Sequence, residues 1–298
     1  MKNNFLKILI LTALIVAGFA DSLWSKSVSN SQSAKDAPAP IDFPIIYATE
    51  TRVVILSEKG EVVWQTLSGV SRDVSQLENG NVLFTFNKDG QCGAREVNLK
   101  GDTVWEYKMS GEYAISCQRL KNGCTLIGAS NIGAVIVVDK SAKLVKSIKV
   151  KTNDKKHSTT IVRQVSNGNI LVAEEAAKCV CEYSLDGKLI WQYRVDFRPF
   201  GAYRLPNGNT LIDGKDSIIL VNPVGEIVWR LNASDIPEMG VRWFAGLRLR
   251  PNGNIFVCNA GGKIPFFEVD KNKNVVKSWQ HSTKLESGHG VWVENVKY

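Results

Sequence analysis

The stretch "LPNGNTLI" (residues 205–212) decides how the rest of the chain is read. Its triplet, Asn207-Gly208-Asn209, returns as Asn79-Gly80-Asn81, Asn167-Gly168-Asn169 and Asn252-Gly253-Asn254, and Asn122-Gly123-Cys124 is a near copy. Successive turns lie 43, 45, 40 and 45 residues apart. An Asn-Gly pair between apolar runs is a hairpin signal: both central residues of a tight type I′ turn take positive φ, which Asn tolerates and Gly adopts freely. A turn recurring at that period marks a repeat architecture.

A second marker keeps the same interval. "VVILSEKGEVVWQ" (53–65), "EVNLKGDTVWEY" (96–107), "EYSLDGKLIWQY" (182–193) and "ILVNPVGEIVWR" (219–230) share one form: a β-rich run, a polar turn with Gly, an apolar pair and Trp. "VIVVDKSAKLVKS" (135–147) and "FFEVDKNKNVVKSW" (266–279) are decayed copies, which makes six. Each unit therefore carries four short strands, one entering the Asn-Gly turn, one leaving it, and two joined by the second turn. No segment after residue 44 sustains a 3.6-residue apolar period, which excludes helical solenoids. Six four-stranded antiparallel units predict an all-β, six-bladed β-propeller. The ends predict how the ring closes. Residues 45–65 hold three strands and no Asn-Gly turn, whereas "HGVWVENVKY" (289–298) is an inner strand with nothing after it. The C-terminal strand is expected to complete the N-terminal blade and so remove two open sheet edges.

The first twenty of the 298 residues read as a signal peptide: Lys2 and Lys7, an apolar run over 8–20, and small Gly18 and Ala20 before the cleavage point. No Cys follows, so it is not a lipoprotein signal, and the run is short for a membrane anchor. Residues 21–43, rich in Ser, Ala, Pro and Lys, read as a flexible linker, and 44–298 as a single propeller domain. The expected location is periplasmic or extracellular. The net charge of +8 is dispersed, with Asp and Glu between the bases and no run of five basic residues, so nucleic acid is not an expected partner. A small-molecule, glycan or protein ligand is expected, and a monomer. Of six Cys, Cys179 and Cys181 stand two apart on one face of a strand, too strained there to bond each other; buried thiols are the reading for most of the six.

"DGKLIWQY" (186–193) followed by "LPNGNTLI" resembles the quinoprotein-type (PQQ-like) β-propeller repeat, and it is similar to the repeats of arylsulfotransferase-type propellers, over nearly all of 45–298. The matching residues are those that build blades, so the resemblance implies the fold more than the chemistry. The PQQ-like likeness implies PQQ as cofactor, but the adjacent Cys pair and the acidic Ca²⁺ ligands of the quinoprotein dehydrogenases are missing from this sequence. The arylsulfotransferase likeness implies a His nucleophile by the channel, a role for His157 or His289 flanked by Arg198 and Arg242. The chain is far shorter than those enzymes, and their motif does not match residue by residue.

The repeat also separates scaffold from site. Gln76, Arg119, Gln164 and Arg204 recur three residues before the Asn-Gly turns, and Trp64, Trp105, Trp191 and Trp229 recur after the second turns, so both sets are structural. The loops on the face opposite the Gly turns do not repeat. They carry Arg72, Tyr113, His157, Arg198, Arg242, Trp243 and His289, all in or just before an inner strand, so closure is expected to gather them round one mouth of the channel. Arg forks and aromatic faces suit an anionic ligand with a flat apolar surface, a sugar or ring included. There is no nucleophile elbow, phosphate loop or haem motif. Three scattered His, without Cys-x-x-Cys or His-x-His, predict no metal site. The sequence thus reads as an exported binding or scaffold propeller, with an arylsulfotransferase-like or PQQ-dependent enzyme as the alternative. N-terminal sequencing of exported material is expected to begin at Asp21; material beginning at Met1 would indicate an anchor instead.

Overall fold

The computed structural model describes residues 42–111, 113–151, 158–279, 288–293 and 295–298; the expected signal peptide, nearly all of the expected linker, and His157 lie outside these. The chain opens with β1 (Ile45–Ala48), β2 (Arg52–Leu56) and β3 (Val62–Leu67). Blade 2 holds β4 (Val74–Gln76), β5 (Val82–Lys88), β6 (Gln91–Val97) and β7 (Thr103–Ser110). Blade 3 holds β8 (Ala114–Arg119), β9 (Thr125–Ala129), β10 (Ala134–Val138) and β11 (Leu144–Lys149). Blade 4 holds β12 (Val162–Gln164), β13 (Ile170–Glu174), β14 (Cys179–Tyr183) and β15 (Leu189–Arg194). Blade 5 holds β16 (Pro199–Arg204), β17 (Thr210–Gly214), β18 (Ser217–Val221) and β19 (Ile227–Asn232). Blade 6 holds β20 (Phe244–Leu249), β21 (Ile255–Asn259), β22 (Phe266–Val269) and β23 (Val275–Trp279). The last strand, β24 (Gly290–Trp292), pairs antiparallel with β1, so blade 1 runs β24-β1-β2-β3 and the ring closes as the two ends predict. Among the described residues the only helical pieces are three-residue 3₁₀ turns, and no helix is long and apolar enough to cross a membrane.

Each blade is sandwiched between two others, and that sets the residue pattern of its inner strands. β1, β9, β10, β13, β14, β17 and β21 are buried at every residue, on both faces, which is why they read as continuous apolar runs rather than as alternations. The buried residues fall into six main interblade clusters, one per interface. Ile46, Ile55, Val74 and Phe84 join blades 1 and 2, and Ile45, Tyr47, Phe256 and Phe266 join blades 6 and 1 across the closure. The tail adds a clasp: Gln76 donates Nε2–H to the Lys297 carbonyl (2.9 Å) and accepts the Lys297 N–H (2.7 Å).

The Asn-Gly turns differ from the tight form expected. Only their glycines have positive φ, Gly80 at 87° and its equivalents alike, and none of the five asparagines does. The Gly80 N–H donates to the Leu77 carbonyl and the Leu77 N–H to the Asn81 carbonyl, both at 2.8 Å. This is the pattern of a type I turn followed by a left-handed glycine, one residue longer than a type I′ hairpin. The reason lies in the asparagine side chains. Asn79 Oδ1 accepts the Asn81 N–H (3.0 Å), while Nδ2 of Asn79 and of Asn81 both donate to Glu96 (3.3 and 2.6 Å). The same clamp closes on Glu182 and Glu268. The repeated residues ahead of the turns are structural, as read from the sequence. Gln76 and Gln164 donate to the carbonyls of their own turn glycines. Arg119 and Arg204 donate to theirs as well, and also reach back to Glu96 (2.7 Å) and Glu182 (2.8 Å) of the preceding blade while lying over Trp105 and Trp191. Deleting residues 289–298 removes β24 and the clasp and leaves two unpaired edges. The truncated chain is expected to aggregate or to lose a single cooperative melt by calorimetry; a soluble protein with an unchanged Tm would overturn the closure.

Candidate functional site

The inner strands β24, β4, β8, β12, β16 and β20 face the central channel. One register along them carries Ser75, Gln118, Arg163, Tyr203, Arg248 and Trp292, each opposite an apolar residue of the next strand out: Leu83, Leu126, Leu171, Leu211, Phe256 and Ile46. Six equivalent positions thus hold six different side chains, all lining one cavity of about 990 Å³. Leu77, Glu78, Asn79, Lys121 and Gly123 also line it, so it opens on the face of the Asn-Gly turns.

Two buried acids stand in the channel, in blades 2 and 5. Asp73 is fully paired: Arg163 grips both its oxygens at 2.7 Å, and Ser116 Oγ and the Cys117 N–H donate to it at 2.9 and 3.0 Å. Burial works against the Arg163 charge, but Asp73 more than offsets it and holds the guanidinium above its ordinary value. This bidentate pair ties blade 2 to blade 4 across blade 3. Asp213 has no such cation. Its Oδ2 accepts the Gly246 N–H at 3.0 Å, and its Oδ1 lies where a Cβ on Gly201 would come within 2.4 Å, so residue 201 has to be glycine. Burial pushes the Asp213 carboxyl up to about 7.

Arg248, in blade 6, is the counterpart. It is 7% exposed, donates Nη1–H to the Leu247 carbonyl (2.7 Å), and its Nε meets no acceptor. Among the described residues no carboxylate lies within salt-bridge distance of it; Asp213 acts on it through space alone. Its guanidinium sits 5.1 Å from the Trp292 ring and 5.9 Å from the Tyr203 ring. The cavity wall therefore carries a buried cation beside two aromatic rings, with no carboxylate in contact among the described residues. Sequence reasoning missed Arg248, Tyr203 and Trp292 because it searched the loops. The signal was present in the inner strands, where the repeat varies at every blade.

The opposite mouth gathers five of the seven loop residues expected there. Arg72 Nη1 lies 3.1 Å from Glu50 Oε1, and His289 Nε2 lies 2.5 Å from the same oxygen. The His289 hydrogen bond holds Glu50 down at about 2, whereas burial lowers His289. At neutral pH the pair is thus a carboxylate accepting from a neutral imidazole N–H. Arg198 pairs with Glu175 and lies 5.2 Å from the Trp243 ring, and Glu175 and Tyr113 act electrostatically on Arg72. Tyr113 takes φ 73°, a strained backbone for a residue with a Cβ. Arg242 is outside this group: it is exposed, against Gly261 of the β21–β22 loop. His157 falls outside the described residues. Glu50, absent from the sequence reading, comes from the β1–β2 turn, 239 residues from His289. The mouth expected to be cationic is thus largely neutralised by its own acids.

No protein-family model and no curated protein matches this sequence. Solved structures do match in shape. A Bacteroides caccae protein of unknown function superposes with a TM-score of 0.70 at 20% identity, over 86% of this chain and 98% of that one. A streptogramin B lyase gives 0.60 at 15% identity, over 86% and 88%. A catalytically inactive His-to-Ala variant of Staphylococcus aureus virginiamycin B lyase, with quinupristin, gives 0.56 at 14% identity, over 74% and 73%. At these identities the likeness is one of fold, the β-propeller.

Asp213 carries a pH test. Its folded value, about 7, lies above the ordinary 3.8, so folding favours the protonated form. That stability is complete below the ordinary value and is lost as pH rises toward 7. Asp213→Asn does not titrate. Between about pH 4.5 and about 7.5 its Tm should gain on the parent's by a few degrees, roughly 1–3 kcal/mol. A constant difference across that range would show that Asp213 is ionised throughout.

Proposed function

We propose that the chain is an exported ligand-binding propeller whose site is the central channel, and that it takes an anion joined to a flat apolar group at the turn-side mouth. Arg248 carries this reading. A buried guanidinium with no carboxylate in contact costs several kcal/mol, which a bound anion would offset. The planar fork suits carboxylate, sulfate and phosphate alike, and Trp292 and Tyr203 offer faces for a ring or sugar beside it. Lys121 and Lys140 at the rim add positive potential against Glu78, Arg119 being paired with Glu96. PQQ, a flat polycarboxylate, belongs to this ligand class, although the adjacent Cys pair that the resemblance would bring is missing.

A second reading keeps the opposite mouth, with Arg72, Tyr113, Arg198, Trp243 and His289, and a catalytic role for His289. The 2.5 Å contact from Glu50 favours it, since a carboxylate that orients an imidazole equips it as a general base or nucleophile. That one similar lyase is inactivated by loss of a histidine adds to its interest.

A thermal-shift and calorimetric screen of aryl sulfates, aryl phosphates, aromatic carboxylates, PQQ and acidic sugars separates the two. If the channel site is right, Arg248→Ala weakens the best ligand by roughly 1.5–3 kcal/mol and His289→Ala leaves its affinity unchanged. The reverse pattern, or turnover abolished by His289→Ala with affinity intact, moves the site to the opposite mouth.

A further inference from the structure

Away from the channel, blade 4 buries a cluster that the binding reading does not use. Strand pairing sets Glu174, at the end of β13, directly opposite Cys179, at the start of β14, and alternation places Cys181 on the same face two residues on. The donor atoms of the three, all buried, lie within 4.8 Å of one another, and the two sulfurs are 3.6 Å apart. Tyr183 donates its O–H to Glu174 Oε1 at 2.5 Å and itself accepts the Lys151 backbone N–H at 3.0 Å. The other oxygen, Glu174 Oε2, meets no N–H or O–H donor. The nearby cations are directed elsewhere: the Lys151 ammonium donates to Gln192 at 3.3 Å, and Arg194, which pairs with Cys179 across the ladder to β15, is exposed. A carboxyl and two thiols therefore lie buried together between blades 3 and 4, against Val135, Ile148, Val162 and Val172, with no cation in contact among the described residues.

We propose that Glu174, Cys179 and Cys181 form a binding site for a soft divalent metal ion, zinc by ligand preference. Two thiolates and a carboxylate are a zinc donor set, and bonds of about 2.3 Å to sulfurs 3.6 Å apart open an angle of roughly 100° at the metal, near tetrahedral. Three protein ligands leave the fourth position for another donor. The chain from the Lys151 N–H through Tyr183 to Glu174 is the kind of outer support that fixes a ligating carboxylate. Binding replaces the two thiol protons, which leave to solvent, so two thiolates, a carboxylate and the divalent ion together carry the same single negative charge as the two thiols and the carboxylate before it.

The test is a Co²⁺ titration of the full chain, reduced and stripped with chelator. One equivalent should bind with a thiolate charge-transfer band, and Zn²⁺ should displace it. Cys181→Ser should lose the band and weaken binding at least tenfold, whereas Cys258→Ala, a buried thiol elsewhere, should leave both unchanged. X-ray absorption on the zinc-loaded parent needs no variant and should show two sulfurs with lighter ligands. Absence of tight binding, a shell without sulfur, or a band that survives Cys181→Ser would each overturn the site and leave a thiol pair joined by a hydrogen bond.

Discussion

Closure of the ring is the constraint on which everything else depends. A four-stranded blade of this chain is apolar on both faces, and neither is covered except by another blade. Burying them in a line would leave two raw faces at the ends; burying them in a circle leaves none. The β24–β1 pairing makes the circle, and the cluster of Tyr47, Phe256, Phe266 and Trp279 seals it with aromatic rings in edge and stacked contact. The clasp between Gln76 and Lys297 then binds the last residues to the second blade rather than the first, so the closing strand is held from both sides.

Within the ring the blades alternate in pairs. Blades 2, 4 and 6 each place a glutamate, Glu96, Glu182 or Glu268, under the asparagines of their own turn. Blades 3 and 5 place an arginine, Arg119 or Arg204, on the glutamate of the blade before. These pairs are half-buried and joined by several hydrogen bonds, and the guanidinium also rests on a tryptophan, so they differ from an exposed ion pair of small net value. Blade 1 breaks the alternation. Where Arg119 and Arg204 stand in their blades it has Val293, and Glu268 keeps only its asparagines. The closing blade is instead joined to blade 6 by apolar packing, by the ion pair of Lys277 with Asp42, and by Arg250, which lies over the Phe43 ring and donates to the Val293 carbonyl.

The channel inherits its asymmetry from the same arrangement. The turns hold the wall of one mouth rigid with backbone hydrogen bonds, which frees the register above them to vary without cost to the blade. Arg163 is matched by Asp73, while Arg248 and Asp213 are not in contact, and each remains under-satisfied in a buried place. At the other mouth the acids Glu50 and Glu175 neutralise the arginines, so electrostatics alone draws an anion less strongly to that end.

The architecture was legible in the sequence because it rests on local chemistry repeated six times. The Asn-Gly turns, the second Gly turns and the Trp-ended strands each depend on neighbours within about ten residues, and the missing strand at one end and the spare one at the other follow from counting. Even so, the turn type was misjudged, because Asn79 binds Glu96, a partner on the third strand of its blade that a two-residue motif does not reveal. The candidate site was legible only in part. Arg72, Tyr113, Arg198, Trp243 and His289 do meet at one mouth, because strand order alone puts their loops on one face. What tertiary structure decided was compensation. Whether an arginine is free depends on a carboxylate brought from another blade, as Asp73 is to Arg163 and Glu175 to Arg198. Whether two cysteines gain a third ligand depends on the register that sets Glu174 against Cys179. Charge balance in a closed ring is a property of distances between blades, and no linear spacing records it.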